Sequence, residues 1–125
     1  MIDCTNPLAY DDGEFGLAIG FDTSGGEQVA GWASGAHVFK ALNQIGNLAM
    51  EDAKFPDGFA AMFVAGDDAE RKPAVLSLVT ELGFEAVDAG PLRISRLLEP
   101  YAMLWIHLAL NQGLGRDFAF SLVRR

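Results

Sequence analysis

A chain of 125 residues with 17 acids, nine Lys or Arg and a formal charge of −8 is one ordinary domain without the basic footprint that neutralises nucleic-acid phosphates. Half of the residues are hydrophobic and 21% are charged, which is enough for a packed core and argues against disorder. The single cysteine, Cys4, excludes an intrachain disulfide and cysteine-based zinc sites, and the longest apolar run, Tyr101 to Leu110, is about half the roughly 20 residues of a bilayer crossing. The N-terminus lacks the basic start and apolar centre of a signal peptide. The expectation is a soluble, cytoplasmic α/β protein that contacts neither nucleic acid nor membrane.

The first predicted strand is Ile2 to Cys4, stopped by Asn6-Pro7 because proline cannot donate to a ladder. Cys4 in that strand reads as a packing thiol. Tyr10 to Gly25 holds four glycines and four acids and reads as a surface loop, with Phe15, Leu17, Ile19 and Phe21 alternating as in a short strand or ordered flap. A short helix is predicted over Glu27 to Ser34, capped by Ser24 and stopped by Gly35. Val38 to Leu42 is a strand, then a loop carries Asn43, Gly46 and Asn47. Ala61 to Ala65 is the clearest buried strand, a continuous apolar run ended by Gly66.

The best helix follows. Asp67 and Asp68 supply its cap and initial negative charge, Pro73 fits only in the first turn, and Val75, Leu76, Val79 and Leu82 form its apolar stripe before Gly83. Phe84 to Asp88 is a strand closed by Gly90-Pro91. A long helix occupies much of Leu92 to Asn111, with Pro100 as a place to bend, and a shorter helix is predicted from Asp117 to Arg125. Strands alternating with helices in this order argue for a largely parallel sheet with helices on its faces.

Few residues carry chemistry. No G-x-G-x-x-G follows a strand and no Walker A pattern exists, and Gly25-Gly26 and Gly113-Leu114-Gly115 are explained by turns or helix ends without a ligand. Asp67-Asp68 reads as a cap, and Asp11, Asp12 and Glu14 as a solvated loop lacking metal-ligand spacing. His37 and His107 read as hydrogen-bonded structural residues, and no Ser/His/Asp arrangement is visible. Asn6-Pro7 is more informative. It lies past the carboxyl end of a strand, where ligands bind in open α/β sheets, and Lys40 to Gly46 shares that rim; turn chemistry explains the same residues. Glu99 to Leu110 is apolar nearly all round, so it is buried in the monomer or covered by a partner.

Ile2-Asp3-Cys4-Thr5-Asn6-Pro7-Leu8, Val38-Phe39-Lys40-Ala41-Leu42-Asn43 and Met62-Phe63-Val64-Ala65-Gly66-Asp67-Asp68, followed by Gly83 to Leu92 and Leu98 to Leu108, form an ordered motif set covering nearly the whole chain. The set resembles the C-terminal part of NADP oxidoreductases that depend on the deazaflavin coenzyme F420, with related dinucleotide-binding reductases. The resemblance implies a partial Rossmann-like (doubly wound) α/β sheet of later strands only, with C-terminal helices. Residues 1–91 would be the C-terminal portion of an NADP-binding domain lacking its Gly-rich βαβ half, and residues 92–125 a helical dimerisation segment.

By the same resemblance, Asn6, Pro7 and Leu8 match the turn near the nicotinamide end of the cofactor. Lys40, Asn43, Gln44 and Ile45 match the segment lining the hydride-transfer cleft, with Gln44 standing where threonine is common. No side chain is implied as a covalent catalyst, because two cofactors held face to face pass hydride directly, and no metal is implied. NADP and coenzyme F420 belong to the intact family, whereas this chain lacks the phosphate-binding turn, so the expectation is a truncated portion inactive alone. The alternative is a non-catalytic dimerising module or truncated gene product. A homodimer is expected through Tyr101–Leu110, through the open Ile2–Cys4 edge, or through both.

Overall fold

The residues Ala61–Gly66, apolar throughout, form the second-from-edge strand of a four-stranded sheet and are buried at all but one position. The structure, a computed structural model, describes residues 1–56 and 58–125. Its elements in chain order are β1 (Ile2–Asp3), β2 (Leu8–Asp11), β3 (Glu14–Leu17), α1 (Gly25–Trp32), β4 (Phe39–Lys40), α2 (Asn47–Glu51), β5 (Lys54–Phe55), β6 (Gly58–Phe59), β7 (Ala61–Gly66), α3 (Lys72–Glu81), β8 (Glu85–Gly90) and, after a 3-10 turn over Leu92–Ile94, α4 (Ser95–Leu110). The main sheet has the order β1-β4-β7-β8, while β2-β3 and β5-β6 are separate antiparallel hairpins.

Period-two alternation sends side chains to the two faces of the main sheet. Phe39, Met62 and Val64 join Val75 and Val79 of α3 in one core cluster, with Ile2 packed against it. Asp3, Lys40 and Phe63 alternate to the opposite face, where Phe63 meets Tyr101 of α4 edge-on at 5.7 Å between ring centroids. Helices therefore cover both faces, and the architecture is the later-strand portion of a doubly wound, Rossmann-like sheet. Phe39 lies opposite Gly66 across the β4–β7 pair. A Cβ on Gly66 would sit 2.2 Å from the Phe39 ring, so that strand end accepts only glycine.

The sheet is not wholly parallel. β1–β4 and β7–β8 pair in parallel, but β4 and β7 run antiparallel. The stretch expected as a loop after Tyr10 opens within a hairpin: β2 and β3 pair around Asp12-Gly13, both with positive φ. Ser24 caps α1 as expected, its hydroxyl accepting from Glu27 N at 3.2 Å and donating to the Glu27 carboxylate at 2.7 Å. Pro73 lies in the first turn of α3. Asp68 Oδ1 accepts from the amides of Glu70 and Arg71 just before that helix, while Asp67 instead accepts from Leu92 N at 2.9 Å. Asp67 thereby ties the 3-10 turn to the end of β7.

Two expectations are corrected. The helix expected from Asp117 to Arg125 does not form; these residues are irregular. Phe118 and Phe120 instead pack against Trp105 and Tyr101, and Phe120 O accepts from Ala61 N at 2.9 Å. Cys4 is exposed, not packed, because Asp3 is the inward residue at that end of β1. The long helix buries one face, with Leu98, Ala102, Trp105 and Ala109, and leaves Leu97, Pro100, Leu104, His107 and Leu110 as an exposed, mostly apolar row. Among the described residues no helix is long and apolar enough to cross a membrane.

Candidate functional site

Two short strands, β1 and β4, end side by side because they are parallel, and the loops leaving them meet. Asn6 donates from Nδ2 to Asn43 O at 2.8 Å, and Asn43 donates from Nδ2 to Asn6 Oδ1 at 2.9 Å. The reciprocal pair joins the two loops 37 residues apart in sequence. Asn43 Nδ2 also reaches Leu98 O of α4 at 3.3 Å. Pro7 packs on the start of α1, where a Cβ on Gly25 would lie 3.3 Å from its ring. Leu8 begins the β2–β3 hairpin and is 41% exposed.

Lys40 is wholly buried beneath this rim. Its ammonium lies 2.6 Å from Asp3 Oδ2 and 2.9 Å from Glu99 Oε1, and donates to Thr5 O at 2.7 Å. The approach to Asp3 Oδ2 is an ion contact without aligned hydrogen-bond geometry. Thr5 O is thus the acceptor of a directed bond, while the two carboxylates hold the ammonium by charge. Burial pushes the Asp3 carboxyl up, but the adjoining Lys40 ammonium and the hydrogen bonds from the amide and hydroxyl of Thr5 outweigh it and hold Asp3 below the usual carboxylate range.

The cluster contains two carboxylates and one cation, so one negative charge needs another partner. Glu99 finds it at the N-terminus of α1, accepting from Gly25 N and Gly26 N at 2.9 Å each. Free N–H groups and the helix dipole make such a terminus an anion site. Here the anion is the protein's own side chain. Gly25-Gly26 therefore offers no seat for a phosphate, and its glycines serve close packing: a Cβ on Gly26 would lie 2.7 Å from Ser95 Oγ and 3.0 Å from Lys40 Cε.

Gln44 serves the sheet. Its Nε2 donates to Phe63 O at 3.0 Å and to Asn43 Oδ1 at 2.8 Å, and its Oε1 accepts from Phe63 N at 3.1 Å. Ile45 packs partly buried against the α3-side core. Between Lys40 and Asn43 the backbone turns at Leu42 with φ 61°, a left-handed conformation costly for a branched side chain.

Of the seven residues singled out from sequence, the structure thus gathers Asn6, Pro7, Lys40, Asn43 and Gln44 in one network at the ends of β1 and β4. Leu8 lies at the hairpin and Ile45 in the core. Asn6, Pro7, Leu8 and Ile45 keep some exposed surface, whereas Lys40, Asn43 and Gln44 are 5% exposed or less. Sequence reasoning missed Asp3, Glu99 and Gly26. A charged residue inside a strand pattern (Asp3) and inside an apolar helix (Glu99) was the available signal, since such residues are rarely buried unless paired.

No protein-family model matches the chain. Among solved structures, it superposes on the "putative F420 dependent NADP-reductase" of Arthrobacter sp. FB24 with TM-score 0.88 and 31% identity, covering 98% of this chain and 56% of that one. It also superposes on a hypothetical protein of Sinorhizobium meliloti with TM-score 0.67 and 25% identity, covering 78% of this chain and 48% of that one. The chain thus spans about half the length of each. The ordered motifs and the fold agree: this chain resembles the C-terminal part of an F420-dependent NADP reductase.

Proposed function

We propose that the chain is a portion of an NAD(P)-dependent oxidoreductase of the F420-dependent NADP reductase kind, in which hydride passes directly between NADP(H) and a deazaflavin or similar acceptor. In this reading residues 1–91 contribute the nicotinamide-side rim through Asn6, Pro7 and Leu8, and residues 92–125 contribute a surface for self-association. The observation that carries it is the likeness to the Arthrobacter protein over 98% of the chain. The residues present do not fit the pyrophosphate of the cofactor, because the α1 N-terminus that could cradle it is filled by Glu99 and no Gly-rich turn follows a strand. In this reading the chain is inactive alone.

Calorimetric titration with NADPH tests this reading. No micromolar binding is expected from this chain, and activity is expected when a Gly-rich βαβ unit is joined ahead of Met1. Micromolar binding by the chain itself would place a phosphate site that this reading lacks. Failure of the joined protein to pass hydride between NADPH and the deazaflavin would sink the assignment.

A second reading, a non-catalytic dimerising module, is favoured by the exposed apolar row of α4. Leu97 is 65% and Leu104 49% exposed, and Leu17, Ile19, Phe21, Leu97 and Pro100 line a groove of about 510 Å³. Sustained turnover by this chain with NADPH and the deazaflavin would exclude the module reading.

A further inference from the structure

We propose that Lys40, clamped between Asp3 and Glu99, is a positioning residue for the Asn6–Asn43 rim and acts through the Thr5 carbonyl. The proposal rests on the reading of that rim as the cofactor-facing surface. Lys40 cannot touch a bound molecule itself, because its side chain is 0% exposed and its ammonium is enclosed by the Asp3 and Glu99 carboxylates and by Thr5 O. What it can do, through its one hydrogen bond, is fix Thr5, the residue before Asn6. Thr5 is held at its amide and hydroxyl by Asp3 Oδ1 and at its carbonyl by Lys40.

The contacts close into a ring. Lys40 holds Thr5, Asn6 beside it exchanges hydrogen bonds with Asn43, Asn43 reaches Leu98 O, and Glu99, the next residue on α4, returns to Lys40. One ring thus joins the loop after β1, the loop after β4 and α4. Leu42, in its left-handed conformation, sits on the short arc between Lys40 and Asn43. Stability alone gives a weak reason for burying these charges, since apolar groups of similar shape commonly replace buried ion clusters at no loss. Geometry gives a stronger one: one directed hydrogen bond to Thr5 O and two carboxylates closed around the same ammonium specify a single arrangement of the two loops.

The test follows the side-chain amide protons of Asn6 and Asn43 by NMR in the full chain, with no cofactor present, so its outcome is independent of the NADPH titration. Lys40→Met is compared with Lys72→Met, which breaks a lysine–carboxylate pair away from the rim, that of mostly buried Lys72 with half-exposed Asp88. Lys40→Met is expected to shift both Asn side-chain resonances and to speed their hydrogen exchange by about tenfold or more, as expected of local opening, while Lys72→Met leaves them in place. If Lys40→Met does not fold, Glu99→Gln is read the same way, with the same direction expected. Unchanged Asn6 and Asn43 amides in whichever of these two variants is folded would overturn the proposal, whatever happens to the melting temperature, and so would an equal effect of Lys72→Met.

Discussion

Trp105 donates its indole N–H to Phe118 O at 3.0 Å while its ring stacks on that of Phe118 at 5.1 Å between centroids and 16° between planes. One residue of α4 thus holds the C-terminal segment twice, by a directed bond and by a face. The contact also limits its neighbour: a Cβ on Gly46 would lie 2.5 Å from the Trp105 ring.

Trp105→Phe should keep part of the stacking but leave the Phe118 carbonyl without its donor, a loss of about 1–2 kcal/mol. Trp105→Ala should cost about 3–5 kcal/mol, as large buried aromatics do. Urea unfolding measures both. In a Trp32→Phe background, which removes an exposed tryptophan, fluorescence should report Trp105 alone and shift to the red as the tail releases. An unchanged urea midpoint in Trp105→Ala would show that the tail is not anchored there.

Gly26→Ala should destabilise by about 1–3 kcal/mol, because the added methyl meets Ser95 Oγ in a packed interior that cannot give way freely. Ser95→Ala removes the hydroxyl that lies in the way, along with its bond to Leu92 O. The two changes should therefore be non-additive, the double variant being more stable than the sum of the singles predicts. Additive losses would mean that the two positions do not press on each other.

Acid should weaken the fold in a defined direction. Arg96 holds the Glu27 carboxyl below its ordinary value near 4.5, chiefly by hydrogen bonding. Lys72 lowers Asp88, and hydrogen bonds led by the Arg71 amide lower Asp68; both lie below the ordinary value near 3.8, as does Asp3. A carboxyl depressed in the folded state contributes stability above its unfolded value and loses it as pH falls through the folded one. Unfolding free energy should thus hold above about pH 5 on this account and fall below it. Glu27→Gln should cost under about 1 kcal/mol at neutral pH, the pair being partly exposed and screened by solvent, and should make the acid loss shallower. A steeper acid loss in Glu27→Gln would contradict that sign.

The exposed row on α4 gives a fourth expectation. Leu104→Glu, which places a charge in its middle, should shift a self-associating chain toward monomer without unfolding it, since Leu104 is half exposed already. Sedimentation at several concentrations checks this. A wild-type chain that stays monomeric at high concentration would remove the premise, and a dimer indifferent to Leu104→Glu would move the contact elsewhere.

Legibility in the sequence followed local physics. Ala61–Gly66, the Ser24 cap and the Pro73 start were readable because an apolar run, a hydroxyl and a ring each act on their immediate neighbours. The tail was misread because Phe118 and Phe120 are spaced by two, a strand-like interval, and their partners Tyr101 and Trp105 lie elsewhere in the chain. The β5–β6 hairpin and α2 are too short to show a period. At the rim, Asn6 and Asn43 could be placed past strand ends, but nothing local says that they bond to each other. The ion cluster is further out of reach, since Asp3, Lys40 and Glu99 come together only after three elements have packed.

Gln44 carries a consequence of its own. The register that sets Phe39 opposite Gly66 and Lys40 opposite Ala65 would set Leu42 opposite Phe63, yet the chain has turned away by then. Gln44 sends its carboxamide into the vacated place and offers Phe63 the same donor and acceptor that a peptide group would. The strand's last rung is thus lent by a side chain, and the main chain is released one step early to carry Asn43 across to Asn6. A hydroxyl-bearing residue at this position is too short to offer both groups, so replacing Gln44 would oblige the loop to choose between closing the sheet and reaching the rim.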